Sequence, residues 1–458
     1  MNDNLKKWLP WIAVAAVALI VIVVIAVNTG DDDVAVGTTT TTGAVDTTTT
    51  TEAPDDTTTT EAPEEKPEPG PLGAVELAPG EDIQIRSLQA ITGPVAFLGI
   101  PNQRGVEFAI SDYGAIKGHN VNMGTGLDDL CSAEGGQAAG QVLAADDKIV
   151  GTIGTSCSSA ASAALPLISE AGQVLISSSN TSATLTSDLI GTAGKDWKPG
   201  YYRTAHNDSF QGAAVAEFVY DQLGLRSIAT IHDGSVYAEG LVAAFEGFFT
   251  EFGGSIALST AVNIDQTDMS GVLAEVVASG ADGLFYPIFM PEGGFIAVQS
   301  KGVAGFDAIT MIGADGILTD NFLEIPETKD TYLSGPNMDY AGNVSVTGTD
   351  ADAFLARYET EFGEAPAAVF WAHSYDATVM LLAAIDAVSV ELADGGLFID
   401  RQALRDELTN TTKFSGIIGS LSCDEFGDCG AARISIIQNT TPEDVEASKA
   451  NVLFEWQP

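Results

Sequence analysis

Residues 149–182 read IVGTIGTSCSSAASAALPLISEAGQVLISSSNTS. Ile149–Ile153 is a short apolar run that suits a strand buried on both faces. Ala160–Ala171 is rich in alanine and leucine and suits a helix. Gln173–Ile176 is a second apolar run of strand length. Strand, helix and strand in succession argue for a parallel sheet with helices packed on its faces. Ser158 and Ser159 fall where the first strand gives way to the helix. The free N–H groups of a first helical turn, with these hydroxyls, suit a carboxylate. Serine at such a place is equally an ordinary N-cap. Ser179 and Thr181 close the second strand, where their hydroxyls and backbone would converge on the same region.

Outward from this stretch the alternation continues in both directions. Ile83–Leu88, Val121–Leu127, Ser227–Ile231, Ser255–Val262, Gly283–Tyr286 and Ala308–Ile312 read as further strands. Asn102–Tyr113, Gly135–Ala145, Phe210–Gln222, Val236–Phe252, Ser270–Ala278 and Pro291–Gln299 read as helices between them. Later helices are expected at Asp350–Phe362, Val369–Val388 and Arg401–Glu407, and the last residues return to strand character around Ile434–Ile437. So many helices exceed what one small sheet can carry, and Pro and Gly breaks near 191–208 and 335–343 suggest two lobes. The expected fold class is α/β, with two Rossmann-like lobes and a ligand cleft between them. Open α/β sheets bind ligands at the carboxyl ends of their strands, so function is expected in that cleft.

The chain has 458 residues, 63 acidic and 19 basic, with a formal net charge of −44. Gripping phosphates takes clustered lysine and arginine, so nucleic acid is excluded as a partner. Such a surface stays soluble by self-repulsion, which salt screens. Residues 8–27, WLPWIAVAAVALIVIVVIAV, carry no charge and suffice to cross about 30 Å of hydrocarbon as one transmembrane helix. Lys6 and Lys7 before it, and Asp31, Asp32 and Asp33 after it, put the body of the chain outside the cell membrane. Residues 1–30 are therefore expected to be an anchor or export signal. The uncleaved anchor is preferred, because the apolar run exceeds that of a signal peptide. Residues 31–80 are mostly Thr, Asp, Glu and Pro and read as a disordered linker.

At this point the body resembles a known family. Thr92-Gly93-Pro94-Val95-Ala96, Asp128-Asp129-Leu130-Cys131, Gly154-Thr155-Ser156-Cys157-Ser158-Ser159 and Ile176-Ser177-Ser178-Ser179-Asn180-Thr181 occur in order. His232-Asp233, Tyr237-Ala238-Glu239-Gly240, Tyr375-Asp376-Ala377 and Gly416–Gly419 with Asp424-Glu425-Phe426-Gly427-Asp428 follow. Collinear over 83–437, these resemble the branched-chain amino-acid class of periplasmic (solute-)binding proteins, which serve ABC importers and have the type I two-lobe fold. The resemblance implies that 83–206 and 336–428 form lobe 1, and 207–335 and 429–458 form lobe 2. It implies ligand contacts from Ser158, Ser159, Ser179 and Thr181 in the first lobe. Asp315 matches an acidic position that pairs with a ligand ammonium, where the family more usually has glutamate. Taken alone, an aspartate before Gly316 is a turn residue. Tyr237, Phe289, Leu98 and Phe370 match positions that wall the cleft. Phe289 stands where leucine binders have tyrosine, and Leu98 where they have an aromatic ring, which puts leucine-type specificity in question.

Binding proteins of this class bridge the pair equivalent to Cys131 and Cys157, and an exported context favours oxidation. Cys423 and Cys429 flank a turn-like segment and are expected to close a small loop. No cysteine and histidine spacing suits a metal, and no H-E-x-x-H, nucleophile elbow or phosphate-binding glycine loop occurs, so neither metal nor cofactor is expected. The chain is read as a non-enzymatic, extracytoplasmic solute-binding protein. Its expected partners are a small ligand (an amino acid, amide or urea-like compound), an ABC transporter permease, and the membrane through the N-terminal helix. A ligand-sensing receptor ectodomain of the same fold is the alternative, and a secreted hydrolase stands behind it.

Overall fold

The computed structural model describes residues 66–458, and the expected anchor and residues 31–65 of the linker lie outside the described residues. Among the described residues no helix is long and apolar enough to cross a membrane. Strands β1 (Ala74–Leu77) and β2 (Ile83–Gln89) lead into helix α1 (Ala96–Tyr113). Two short strands follow, β3 (Val121–Asn122) and β4 (Leu127–Asp128), where one strand over 121–127 was expected. Gly124 lies between them with φ of 61° and turns the chain, which divides the run. Next come α2 (Ala133–Ala144), β5 (Ile149–Gly154), α3 (Ser158–Glu170), β6 (Val174–Ser177) and β7 (Tyr201–Arg203).

These strands form a parallel sheet of order β3-β2-β5-β6-β7, with β4 also on β2. All six residues of β5 are buried, as befits a strand covered on both faces. Val174 and Ile176 face a core shared with Val106, Phe108 and the long helix described below, whereas Leu175 faces Ala161, Leu165 and Ile168 of α3. Helices α2 and α3 pack closely, and a Cβ at Gly136 would run into the Ala160 carbonyl.

The second half begins with α4 (Asp208–Glu217), β8 (Ser227–His232), α5 (Val236–Glu251), β9 (Ser255–Ala261), α6 (Ser270–Ser279), β10 (Gly283–Phe285), α7 (Glu292–Ser300) and β11 (Thr310–Gly313). Ser235 caps α5 by accepting the Ala238 N–H, and Asn207 caps α4 by accepting the Ser209 N–H. A short α8 (Asp320–Leu323) precedes β12 (Tyr332–Pro336). The chain then forms α9 (Ala351–Phe362), α10 (Trp371–Val388), β13 (Val390–Glu391), β14 (Leu397–Asp400), α11 (Arg401–Thr409), β15 (Phe414–Gly416) and β16 (Gly419–Leu421). It ends with β17 (Ile434–Gln438), α12 (Val445–Lys449) and β18 (Val452–Trp456). The second sheet has the order β18-β17-β12-β11-β10-β8-β9, parallel from β12 to β9 and antiparallel at β17 and β18. It is a mixed sheet.

The chain passes between the two sheets after β7, after β12 and before β17. Helix α10 returns to pack on α1 and on β5 and β6. At the crossings, the fully buried Arg203 donates through Nε to Asp428, and through Nη1 to the carbonyls of Asn180 and Ser182 at 3.1 and 2.8 Å.

One linker boundary needs correction. Residues 74–77 were assigned to the disordered stretch, yet they form β1, paired antiparallel with β14. Val75 and Leu77 are buried against Ile83, Ile85, Leu397 and Ile399. Their period-two spacing lay hidden beside a run of Pro, Glu and Gly, and only the partner strand, remote in sequence, makes it decisive.

Candidate ligand-binding site

The first lobe supplies the loops after β5 and β6. Gly154 ends β5 at φ of 145°, and a Cβ there would collide with the Leu88 carbonyl of β2, so glycine alone lets the chain turn so sharply. Past the turn, the Ser156 N–H donates to Asp129 Oδ2 at 2.6 Å, and its hydroxyl donates to Gln89 Oε1 at 2.8 Å. The Cys131–Cys157 disulfide ties this loop to the loop after β4, and Cys423–Cys429 closes the small loop near the last crossing. Both pairings match expectation.

The structure decides between the two readings of Ser158 as far as capping goes. The cap of α3 is Cys157, whose side chain makes no capping bond, and Ser158 is the first helical residue. Its Oγ accepts the Ser182 N–H at 3.4 Å. Among the described residues, the N–H groups of Ser158 and Ser159 have no acceptor. The positive end of the α3 dipole adds to their attraction for an anion. Ser179 lies beside them, its hydroxyl donating to the Ser156 carbonyl at 3.1 Å.

The second lobe brings Asp315, which follows β11 and is 5 % exposed. Its Oδ1 accepts from Tyr237 Oη at 2.9 Å and from Gln211 Nε2 at 2.8 Å. Tyr237 Oη also accepts the Gly316 N–H. Behind them His206 Nε2 lies 2.6 Å from Gln211 Oε1, a pure acceptor once the amide donates to Asp315, so the imidazole carries its proton on Nε2. Burial lowers the His206 pKa, against the opposing pull of Asp315 and the Gln211 hydrogen bond. Burial raises the pKa of Asp315, against the opposing pull of His206 and the two donors. Among the described residues no donor reaches Asp315 Oδ2, which leaves that oxygen for a ligand.

Ser158, Ser179, Tyr237, Phe289, Asp315, Leu98 and Phe370 line one cavity between the lobes, together with Asn102, Ser156 and Gly316. Its free space is about 20 Å³, room for roughly one water, so the lobes are closed on each other. Two expected residues do not line it. Ser159 Oγ accepts the Val236 N–H of α5 at 3.1 Å and so fastens one lobe to the other. Thr181 is fully buried behind the wall, its carbonyl accepting the Asp208 N–H at 2.8 Å. Sequence reasoning missed Asn102, although its place one helical turn after Leu98 puts both on one face of α1. Gln211 and His206 left no local signal. A larger cleft of about 780 Å³, lined by Tyr340, Leu355 and Val452 among others, shares no residue with this cavity. Its acidic side chains are all at least partly exposed, unlike Asp315.

A family profile described as periplasmic binding protein matches residues 82–427. The chain belongs to this family. Among its relatives is the Leu/Ile/Val-binding protein homolog 3 of Brucella melitensis, 24 % identical over 360 residues, covering 78 % of this chain and 91 % of the relative. The leucine binding protein of Thermotoga maritima superimposes with a TM-score of 0.69 at 22 % identity, covering 82 % of this chain and 99 % of the other. An ABC transporter solute binding protein of Rhodopseudomonas palustris, solved with 3,4-dihydroxybenzoic acid, gives a TM-score of 0.63 at 20 % identity, covering 78 % and 93 %. This binding protein thus has the type I two-lobe fold, and its relatives are solute-binding proteins rather than enzymes. Proteins of the family bind small molecules and work with ABC transporter permeases.

Proposed function

We propose that this binding protein captures a small zwitterionic amino acid in the interlobe cavity and delivers it to an ABC import permease. The observation that carries the reading is one cavity to which the two lobes bring opposite preferences. Lobe 1 offers the unpaired N–H group of Ser158 at the start of α3, which suits a carboxylate. Lobe 2 offers the free oxygen of buried Asp315, which suits an ammonium. Ligand docked on either lobe would draw the other over it, so closure follows from affinity for the closed form. The buried acid disfavours an anionic aromatic ligand of the kind found in the Rhodopseudomonas protein, whose phenolic hydroxyls could donate to it but which brings no positive charge to neutralise it. Residues 8–27 would hold the protein on the outer face of the membrane.

Mass spectrometry of the ligand that co-purifies with the full chain tests the substrate class. Asp315→Ala is expected to weaken binding of that ligand by about 2–5 kcal/mol, measured by calorimetry. Unchanged affinity would remove Asp315 from the ammonium role.

A further inference from the structure

Asn102 is 1 % exposed and lines the cavity. Its Nδ2 donates to Ser179 Oγ at 3.3 Å and lies 3.5 Å from Gln89 Oε1. Gln89 is itself fixed, its Nε2 donating to the Ile153 carbonyl at 3.3 Å and its Oε1 accepting from Ser156 Oγ. Turning the Asn102 amide over would set its oxygen against that Oε1, acceptor against acceptor. The orientation is therefore determined, and Oδ1 is the atom left over. Among the described residues Asn102 Oδ1 is buried and has no hydrogen-bond partner. Asn102 lines the closed cavity, and its buried carbonyl oxygen, held without a donor, destabilises the closed form unless a ligand supplies one.

The position says which part of the ligand. Asn102 stands one helical turn after Leu98 on α1, and both line the cavity from the first lobe. The free oxygen of Asp315, suited to the ammonium, belongs to the second lobe. We infer that the ligand is an amino acid whose side chain carries a hydroxyl or amide donor, received by Asn102 Oδ1. This inference rests on the zwitterion reading above and narrows it. The wall made by Leu98, Phe289 and Phe370 then packs the remainder of that side chain. A site built to accept a hydrogen bond rejects an isostere that lacks the donor far more sharply than an apolar pocket rejects an added hydroxyl.

The test uses isosteric pairs, L-threonine against L-valine and L-asparagine against L-leucine. Each is titrated calorimetrically into the full-length chain in detergent micelles after the endogenous ligand has been dialysed away. The polar member of at least one pair is expected to bind at least tenfold more tightly, and Asn102→Leu is expected to erase or reverse that ratio. Equal or tighter binding of both apolar members overturns the inference and leaves the zwitterion reading standing. So does an Asn102→Leu variant that weakens both members of a pair alike, because Oδ1 would then serve the shared ammonium. If none of the four binds, the zwitterion reading falls and this inference with it. The wild-type ratios decide the matter even if the variant fails to fold.

Discussion

Asp315 is one methylene shorter than glutamate and ends at a cavity with little free space. Its pKa is raised by burial, which sets a pH dependence with a definite sign. Only the ionised form attracts an ammonium. Affinity for a zwitterion is therefore expected to hold at neutral pH and to fall on acidification, starting above the range of an exposed aspartate. Calorimetric titrations between pH 7 and 4 read this directly, and Asp315→Asn should flatten the profile. At this scale the residue types taken singly said little, and the resemblance was what gathered the residues that line the cavity. Ser158, Asp315 and the aromatic walls were legible through the family resemblance. Gln211 was not, because its meaning is a bond to Asp315 made 104 positions away. Ser159 is expected as a ligand contact from its place in the first turn of α3 and from the family resemblance, but its hydroxyl already accepts an N–H from α5, 77 positions on.

Elements carry a different part of the stability. Strand β1 buries Leu77 at 2 % exposure against the first-lobe core. Leu77→Ala is expected to destabilise the protein by about 2–5 kcal/mol in urea unfolding. A disordered tail would give no change. The Cys131–Cys157 bridge closes a segment with a separation of 26 residues next to the start of α3. Replacing both cysteines by serine is expected to lower stability by roughly 2–4 kcal/mol in the same assay, chiefly by freeing the unfolded chain. Most helices and parallel strands were readable, because continuous apolar runs and alanine-rich stretches each favour one state. The division of 121–127 into β3 and β4, and the existence of β1, were not, since both depend on what lies alongside.

For the molecule as a whole, the charge of −44 acts through solution conditions rather than through fold. Like charges crowded onto a compact surface repel more than on an open chain, and salt shortens their reach. The melting temperature is therefore expected to rise with added NaCl in calorimetric scans, and a fall would mean that specific ion pairs outweigh the repulsion. The two-lobed plan was legible in the alternation of elements and in the breaks near 191–208 and 335–343. The order of strands was not, because pairing depends on crossovers that composition does not encode.

Strand β1 has one more effect. It is stitched to β14 and rests on the core of the first lobe, so the described chain enters the fold at Ala74 through that lobe. A pull on that entry point is received by the half that holds α3. The half bearing Asp315 is joined to it by the three crossings and, in the closed form, by the Val236 N–H to Ser159 bond, so it is the jaw that would swing once that bond opens.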